Sequence, residues 1–189
     1  MIPAFLYHPT NYPNHYQLNP SLIKVKYLSS LAYSMDLEEI PIKPIGIVKS
    51  PFTEHFGESR RTTVAQVVIN QEHSQALDGL SEYSHIIIIF WMHKMTHYQK
   101  NILQIHPRGR EDLPVVGVLA SRGKTRPNPI GLAVVELLDV KDNILTVKGL
   151  DAYNDSPVLD VKPYDHYDVK NDIKVPSWWT KISQTHSKK

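Results

Sequence analysis

Cysteine is absent from this chain of 189 residues. That absence excludes disulfides, thiolate-bound zinc, iron–sulfur clusters and a cysteine nucleophile, and makes an intracellular, cytoplasmic protein the natural expectation. Long apolar runs are missing as well. The longest, Ile86 to Met92, falls far short of the roughly 20 residues that a membrane-spanning helix needs, so no membrane partner is expected. No charged stretch precedes a hydrophobic core near Met1, as a signal peptide would require. Glycine is scarce at eight residues, and neither G-x-x-x-x-G-K-[ST] nor G-x-G-x-x-G occurs. A nucleoside-triphosphate loop and a doubly wound dinucleotide or methyltransferase fold are therefore improbable.

The first 34 residues lack both glycine and acidic side chains, yet hold five of the ten tyrosines and four of the fourteen prolines. Such composition without periodicity does not specify a packed element, although Leu22 to Leu31 follows a helix-start signal at Asn19-Pro20-Ser21. Residues 1–40 are read as an N-terminal extension, with Met35 as an alternative translation start. Residues 41–170 form the main domain and 171–189 a C-terminal tail.

From Ile45 onward the apolar pattern is that of strands. Ile45 to Lys49, Thr62 to Ile69, Ile86 to Trp91, Val115 to Ala120 and Ala133 to Leu138 are rich in branched side chains and bounded by turn residues. Asp142-Asn143 separates two further apolar stretches, and both residues tolerate the positive φ that a tight hairpin demands. Only Gln75 to Leu80 and Met95 to Ile105 read as helix. Strands with so few intervening helices cannot build a parallel α/β sheet, so the expected fold class is mainly β, an antiparallel β-barrel with short helical inserts.

The most informative loop is Arg122-Gly-Lys-Thr-Arg-Pro-Asn-Pro-Ile-Gly-Leu132, which places three cations and two prolines between apolar runs. Proline restricts itself and the residue before it, so Arg126 and Asn128 are pushed toward extended conformations and lose little entropy on binding. The surrounding charge is segregated. Lys94 to Arg126 holds seven basic residues against two acidic ones, while Asp151 to Asp172 holds six aspartates against two lysines. On a chain of net charge +2, this creates a local basic face suited to phosphates.

Metal and carboxylate chemistry carry weaker signals. His93-Lys-Met-Thr-His97 has the i, i+4 spacing of two helical ligands but lacks the glutamate of a metalloprotease, and no metal is expected. Asp151, Asp155 and Asp160 read as paired acid–base carboxylates or, beside Asn, Ser and Pro, as turn formers.

Four ordered blocks carry a resemblance: Pro44 to Phe52, Tyr83 to His93, Gly117 to Leu132 with its Arg-Pro-Asn-Pro-Ile-Gly, and Gly149-Leu-Asp151 through Ser156-Pro-Val-Leu-Asp-Val-Lys-Pro-Tyr164. Together, from about Ile42 to Asp168, they resemble the TsaA-like, or TrmO, family of tRNA (adenine-N6)-methyltransferases. The resemblance implies a small β-barrel that binds S-adenosylmethionine, works as a homodimer and methylates N6 of N6-threonylcarbamoyladenosine at position 37 of tRNA. It maps cofactor contacts onto Arg60, Arg61, His93, Lys94, Arg122, Leu132, Gly149, Leu150 and Asp151. The chain departs from the family at Ser59-Arg60-Arg61, where Pro-Arg-Gln is usual; the added charge at Arg61 favours phosphate binding.

Methyl transfer to an exocyclic nitrogen needs in-line positioning more than a nucleophile. Asn128 is the candidate for orienting the base, because a carboxamide both donates to and accepts from an adenine edge; the alternative is a turn residue held between two prolines. Asp160, Tyr164 and His93 are candidates for accepting the departing proton. Two competing readings stay open: a non-catalytic barrel that binds tRNA or a nucleotide, and a methyltransferase acting on a small metabolite. Trp178-Trp179 reads as packing, with a dimer contact or base stacking as alternatives.

Overall fold

Side chains alternate between the two faces of an extended strand, so branched apolar residues at every second position commit one face to a core. The computed structural model describes residues 40–54 and 61–186. Its strands are β1 (Gly46–Lys49), β2 (Val64–Ile69), β3 (His85–Trp91), β4 (Gln104–Ile105), β5 (Val116–Gly117), β6 (Ile130–Lys141), β7 (Ile144–Lys148) and β8 (Pro157–Pro163). Six of them close into a barrel in the order β1-β2-β7-β6-β3-β8, every pair antiparallel, and β4 and β5 form a separate two-stranded sheet. Closure leaves the barrel no unpaired edge. Val48, Val67, Ile86, Ile88, Leu145, Val147 and Val158 fill the interior without exposure, together with Leu150 and Ala152 just beyond β7.

Two close approaches depend on particular residues. Gly131 lies opposite Phe90 in the β3–β6 register, and a Cβ at 131 would sit 2.3 Å from the Phe90 ring. The glycine of the basic-loop motif therefore makes room for a core aromatic. At the hairpin between β6 and β7, Asp142 adopts φ 53° and Asn143 accepts from Ile69 N at 2.8 Å, so the expected tight turn also ties into β2.

Several expectations are corrected. Val115 to Ala120 is not a barrel strand: only Val116–Gly117 is extended, paired with Gln104–Ile105, and Val118–Ala120 is a 3-10 turn. The basic loop thus joins a small sheet to β6. Met95 to Ile105 yields only α1 (His97–Lys100), started by a reciprocal Thr96–Gln99 capping box, and then β4. Gln75 to Leu80 becomes two 3-10 segments, Gln71–Leu77 and Leu80–Glu82. In the tail, Ser177–His186 forms helix α2, where Trp178 and Trp179 meet edge to face at 6.1 Å and Ile182 is buried. Leu22 to Leu31 lies outside the described residues.

Candidate active site

Antiparallel closure sends the C-terminal ends of β1, β3 and β7 and the N-terminal ends of β2, β6 and β8 to the same mouth of the barrel. The segments that leave or enter there are 50–54, 61–63, 92–96, 121–129 and 149–156. Strand direction alone therefore brings together Arg61, His93, Lys94, Arg122, Asn128, Gly149, Leu150 and Asp151, which are scattered over ninety residues of sequence.

The basic loop divides its cations between scaffold and surface. Arg126 donates to the backbone oxygens of Ser121 at 2.8 Å and Gly123 at 3.4 Å, so its guanidinium holds the loop's own turn. Arg122 is exposed and reaches back to the Leu132 oxygen at 3.4 Å, folding the loop over the start of β6. Lys124 is exposed, with no partner among the described residues. Pro129 is buried and its oxygen accepts from Met92 N at 2.8 Å, which anchors the loop to the end of β3. Asn128 beside it is exposed, and its carboxamide has no hydrogen-bond partner among the described residues. An anchored backbone carrying an unengaged carboxamide is a preorganised recognition group.

Across the mouth, the turn before β8 builds a second set of contacts. Asn154 N donates to the Phe52 oxygen at 2.7 Å and Asp155 N to the Val48 oxygen at 2.8 Å, stitching the turn to β1. Asp155, at φ 62°, pairs with Lys49 at 2.8 Å; that hydrogen bond is the main reason its carboxyl is held below the usual carboxylate range. Lys94 donates to the Thr53 oxygen and stands 4.7 Å from the centre of the Tyr153 ring, a cation–π arrangement. His93 Nδ1 lies 3.3 Å from the hydroxyl of Ser156, which is 1% exposed. Partial burial, then the neighbouring Lys94 charge, push the His93 pKa down, against a smaller upward pull from Asp155. Sequence reasoning missed Lys49, Tyr153 and Ser156 as members of this cluster, and named Asp155 only as an acid–base carboxylate or turn former; Ser156 was visible only as part of the fourth block.

The remaining candidates fall in different places. Arg60 lies outside the described residues, and Arg61 is exposed before β2. Gly149 has φ 93°, and a Cβ there would meet the Arg61 oxygen at 3.3 Å, so the glycine permits β7 to turn beside Arg61. Leu150 is fully buried in the core, which leaves only its backbone at the mouth. Asp151 is exposed. Leu132 points outward from β6 and is 49% exposed, opposite Ile89.

Tyr164 does not join Asn128, whereas Asp160 stands in register with Ile89, across β3 from Leu132. Asp160 lies partway along β8, where one carboxylate oxygen accepts from Val161 N at 2.9 Å and the other pairs with Lys162 at 2.8 Å. Tyr164 is bonded through its backbone to the His85 oxygen, at the start of β3 and hence at the opposite mouth. The six residue steps from His85 to Trp91 span roughly 20 Å. As for the helical metal pair, His97 is the first residue of α1 and His93 precedes the helix, so the i, i+4 face does not exist. Among the residues described, no cluster of three or more metal-ligating side chains occurs, and no helix is long and apolar enough to cross a membrane.

Residues 47–169 match the family described as the tRNA-methyltransferase O N-terminal domain. A probable S-adenosyl-L-methionine-binding protein of Methanothermobacter thermautotrophicus is 40% identical over 130 residues, 67% of this chain and 90% of that protein. The mouse tRNA (adenine(37)-N6)-methyltransferase is 32% identical over 147 residues, which are 70% of this chain but 33% of the mouse protein. The crystal structure of TrmO from Pseudomonas aeruginosa superposes with a TM-score of 0.59 at 28% identity, covering 74% of this chain and 62% of that one. The match thus spans less than two thirds of the solved TrmO chain. The barrel, its order of blocks and the extent of the match together place this chain in the TrmO family, as a member of its N-terminal-domain group.

Proposed function

We propose that this chain is an S-adenosylmethionine-dependent methyltransferase whose acceptor is N6 of N6-threonylcarbamoyladenosine at position 37 of tRNA. The observation that carries this reading is the convergence of Arg61, His93, Lys94, Arg122, Asn128 and Gly149 to Asp151 on one barrel mouth, in a family whose relatives are named for S-adenosylmethionine binding or for N6 methylation of adenine 37 in tRNA.

The residues present suit the cofactor's functional groups. Arg122 offers a guanidinium for its carboxylate, the Asp151 carboxylate suits its ammonium, and exposed Ile130 and Leu132 offer an apolar shelf for adenine. When bound, S-adenosylmethionine supplies an electrophilic methyl group on a sulfonium. The chain contributes orientation: Asn128 reads the adenine edge from an anchored loop. Tyr164 stands at the opposite mouth from Asn128 within one copy of the chain, and the Asp160 carboxylate is already engaged by Lys162 and Val161 N. Because the mouth is open, water is the proposed acceptor for the N6 proton.

Two partners belong to this reading. Lys100, Arg108 and Lys124 lie between β3 and β6, in the excursion that ends at Asn128, and are proposed to contact tRNA phosphates. On the outer barrel wall, beyond that shelf, exposed Val134 and Leu138 lie farther along β6, with Val134 in register with Ile87. This apolar ribbon is the proposed contact with a second copy of the chain.

The test is transfer of labelled methyl to two tRNA pools, one carrying N6-threonylcarbamoyladenosine and one lacking it, followed by nucleoside analysis. Incorporation at N6 of that nucleoside alone supports the proposal. Cofactor binding without transfer to either pool would overturn it in favour of a non-catalytic binding barrel, and transfer to a small metabolite with weak salt dependence would overturn the choice of substrate.

A further inference from the structure

Ser156 is the sole buried polar or charged residue among those described, at 1% exposure, and its position is dictated by the turn that starts β8. Its backbone is fully engaged: the nitrogen donates to the Tyr153 oxygen at 3.1 Å and the oxygen accepts from Val48 N at 3.0 Å. The hydroxyl has one partner, His93 Nδ1 at 3.3 Å. A hydroxyl hydrogen sealed from water must be donated or carry the cost of an unmade hydrogen bond. Here the single acceptor in reach is Nδ1, and a ring nitrogen accepts only if it carries no proton.

We propose that Ser156 is a positioning residue that holds His93 as the neutral tautomer protonated on Nε2, so that His93 serves the site as a hydrogen-bond donor to a ligand oxygen and not as the base that removes the N6 proton. The opposite tautomer would leave the Ser156 hydrogen without an acceptor in a buried site. The ring edge bearing Nδ1 is occupied by Ser156, while His93 as a residue is exposed, which leaves Nε2–H available at the mouth.

The charged surroundings agree. Lys94, which follows His93, opposes a second positive charge, and the Asp155 carboxylate that would favour one is already paired with Lys49 at 2.8 Å. The titratable group facing from the turn is Tyr153, whose ring lies against Lys94. The donor role rests on the methyltransferase reading, but the tautomer does not.

The decisive measurement is therefore made on the free protein. Histidine side-chain ¹⁵N shifts of the full chain are recorded as a function of pH, with His93 assigned by the signals lost in His93→Gln. The expected result near neutral pH is a pyrrole-like Nε2 and a pyridine-like Nδ1. In Ser156→Ala the two tautomers mix and the titration midpoint moves up toward the ordinary histidine value; Ser156→Thr, which keeps the hydroxyl, retains the original pattern. A protonated Nδ1 in the unsubstituted protein would overturn the proposal even if Ser156→Ala did not fold. So would a Ser156→Ala protein with unchanged tautomer and midpoint. On active enzyme, an acid limb of the transfer rate that moved with the His93 midpoint would identify His93 as a base and refute the donor role.

Discussion

Replacing Gly131 by alanine should destabilise the barrel through one side chain, Phe90. The added Cβ would lie 2.3, 2.5 and 2.8 Å from Cζ, Cε2 and Cε1 of that ring. Ordinary carbon contacts lie at about 3.5–4.0 Å, so the ring must retreat by roughly 1 Å. Phe90 is 4% exposed inside a closed barrel, and Gly131 is hydrogen-bonded into β6 opposite it, so neither has free space to move into. Overpacking of this kind costs about 1–3 kcal/mol, and the severity of the clash favours the upper end. Removing a glycine from a strand returns about 0.5–1 kcal/mol by reducing the freedom of the unfolded chain. The net expectation is a loss of about 2 kcal/mol in urea unfolding at 25 °C. In a Phe90→Leu background, which lacks the clashing ring atoms, the same change should cost less than about 0.5 kcal/mol. Equal cost in both backgrounds, or a negligible cost in the parent, would refute the packing argument.

Arg122→Ala should weaken S-adenosylmethionine binding about 10–100-fold, the range for loss of a charge-assisted hydrogen bond, as read by calorimetry. Its thermal midpoint should stay unchanged, because the exposed side chain's one backbone contact is long. Asn128→Ala should lower methyl transfer while leaving the thermal midpoint and cofactor affinity alone; undiminished transfer would sink the assignment. Lys124→Ala should reduce the slope of log tRNA affinity against log salt by about one, without changing cofactor binding. For pH, Lys49 depresses the Asp155 pKa in the folded state, so this pair's contribution is present above the unfolded carboxylate value and is lost as pH falls through the depressed one. Asp155→Asn should accordingly show a smaller drop in urea midpoint between about pH 5 and pH 3 than the parent; an identical drop would show that the pair is inconsequential.

The barrel was legible because its information is local. Period-two burial in Val64–Ile69 and His85–Trp91, and the Asp142-Asn143 turn, each announce themselves within a few residues. The site was legible in part, since the blocks at His93, Arg122 to Asn128 and Gly149 to Asp151 do reach one mouth. What could not be read was strand direction and its consequence for distance. Tyr164 follows Ser156 closely in sequence, but β8 carries it to the other mouth, so neighbourhood in a motif did not mean neighbourhood in space. The β4–β5 sheet rests on two residues per strand, too few for any periodicity. Among the described side chains of helix α2, 177–182, only Ile182 is buried, a correspondingly faint apolar stripe. Gly131 is a further case: its meaning depends on Phe90, forty-one residues earlier, which no local pattern encodes.

The central claim is that the mouth formed by 92–96, 121–129 and 149–156 holds the cofactor. The most direct measurement is a backbone amide chemical-shift titration of the full chain with S-adenosylmethionine. The account expects the largest shifts at His93, Lys94, the amides of 121–132 and Gly149 to Asp151, with Ser84 to Ile86 and Tyr164 at the other mouth unmoved. Shifts centred on His85 and Tyr164, or none at saturating cofactor, would contradict it.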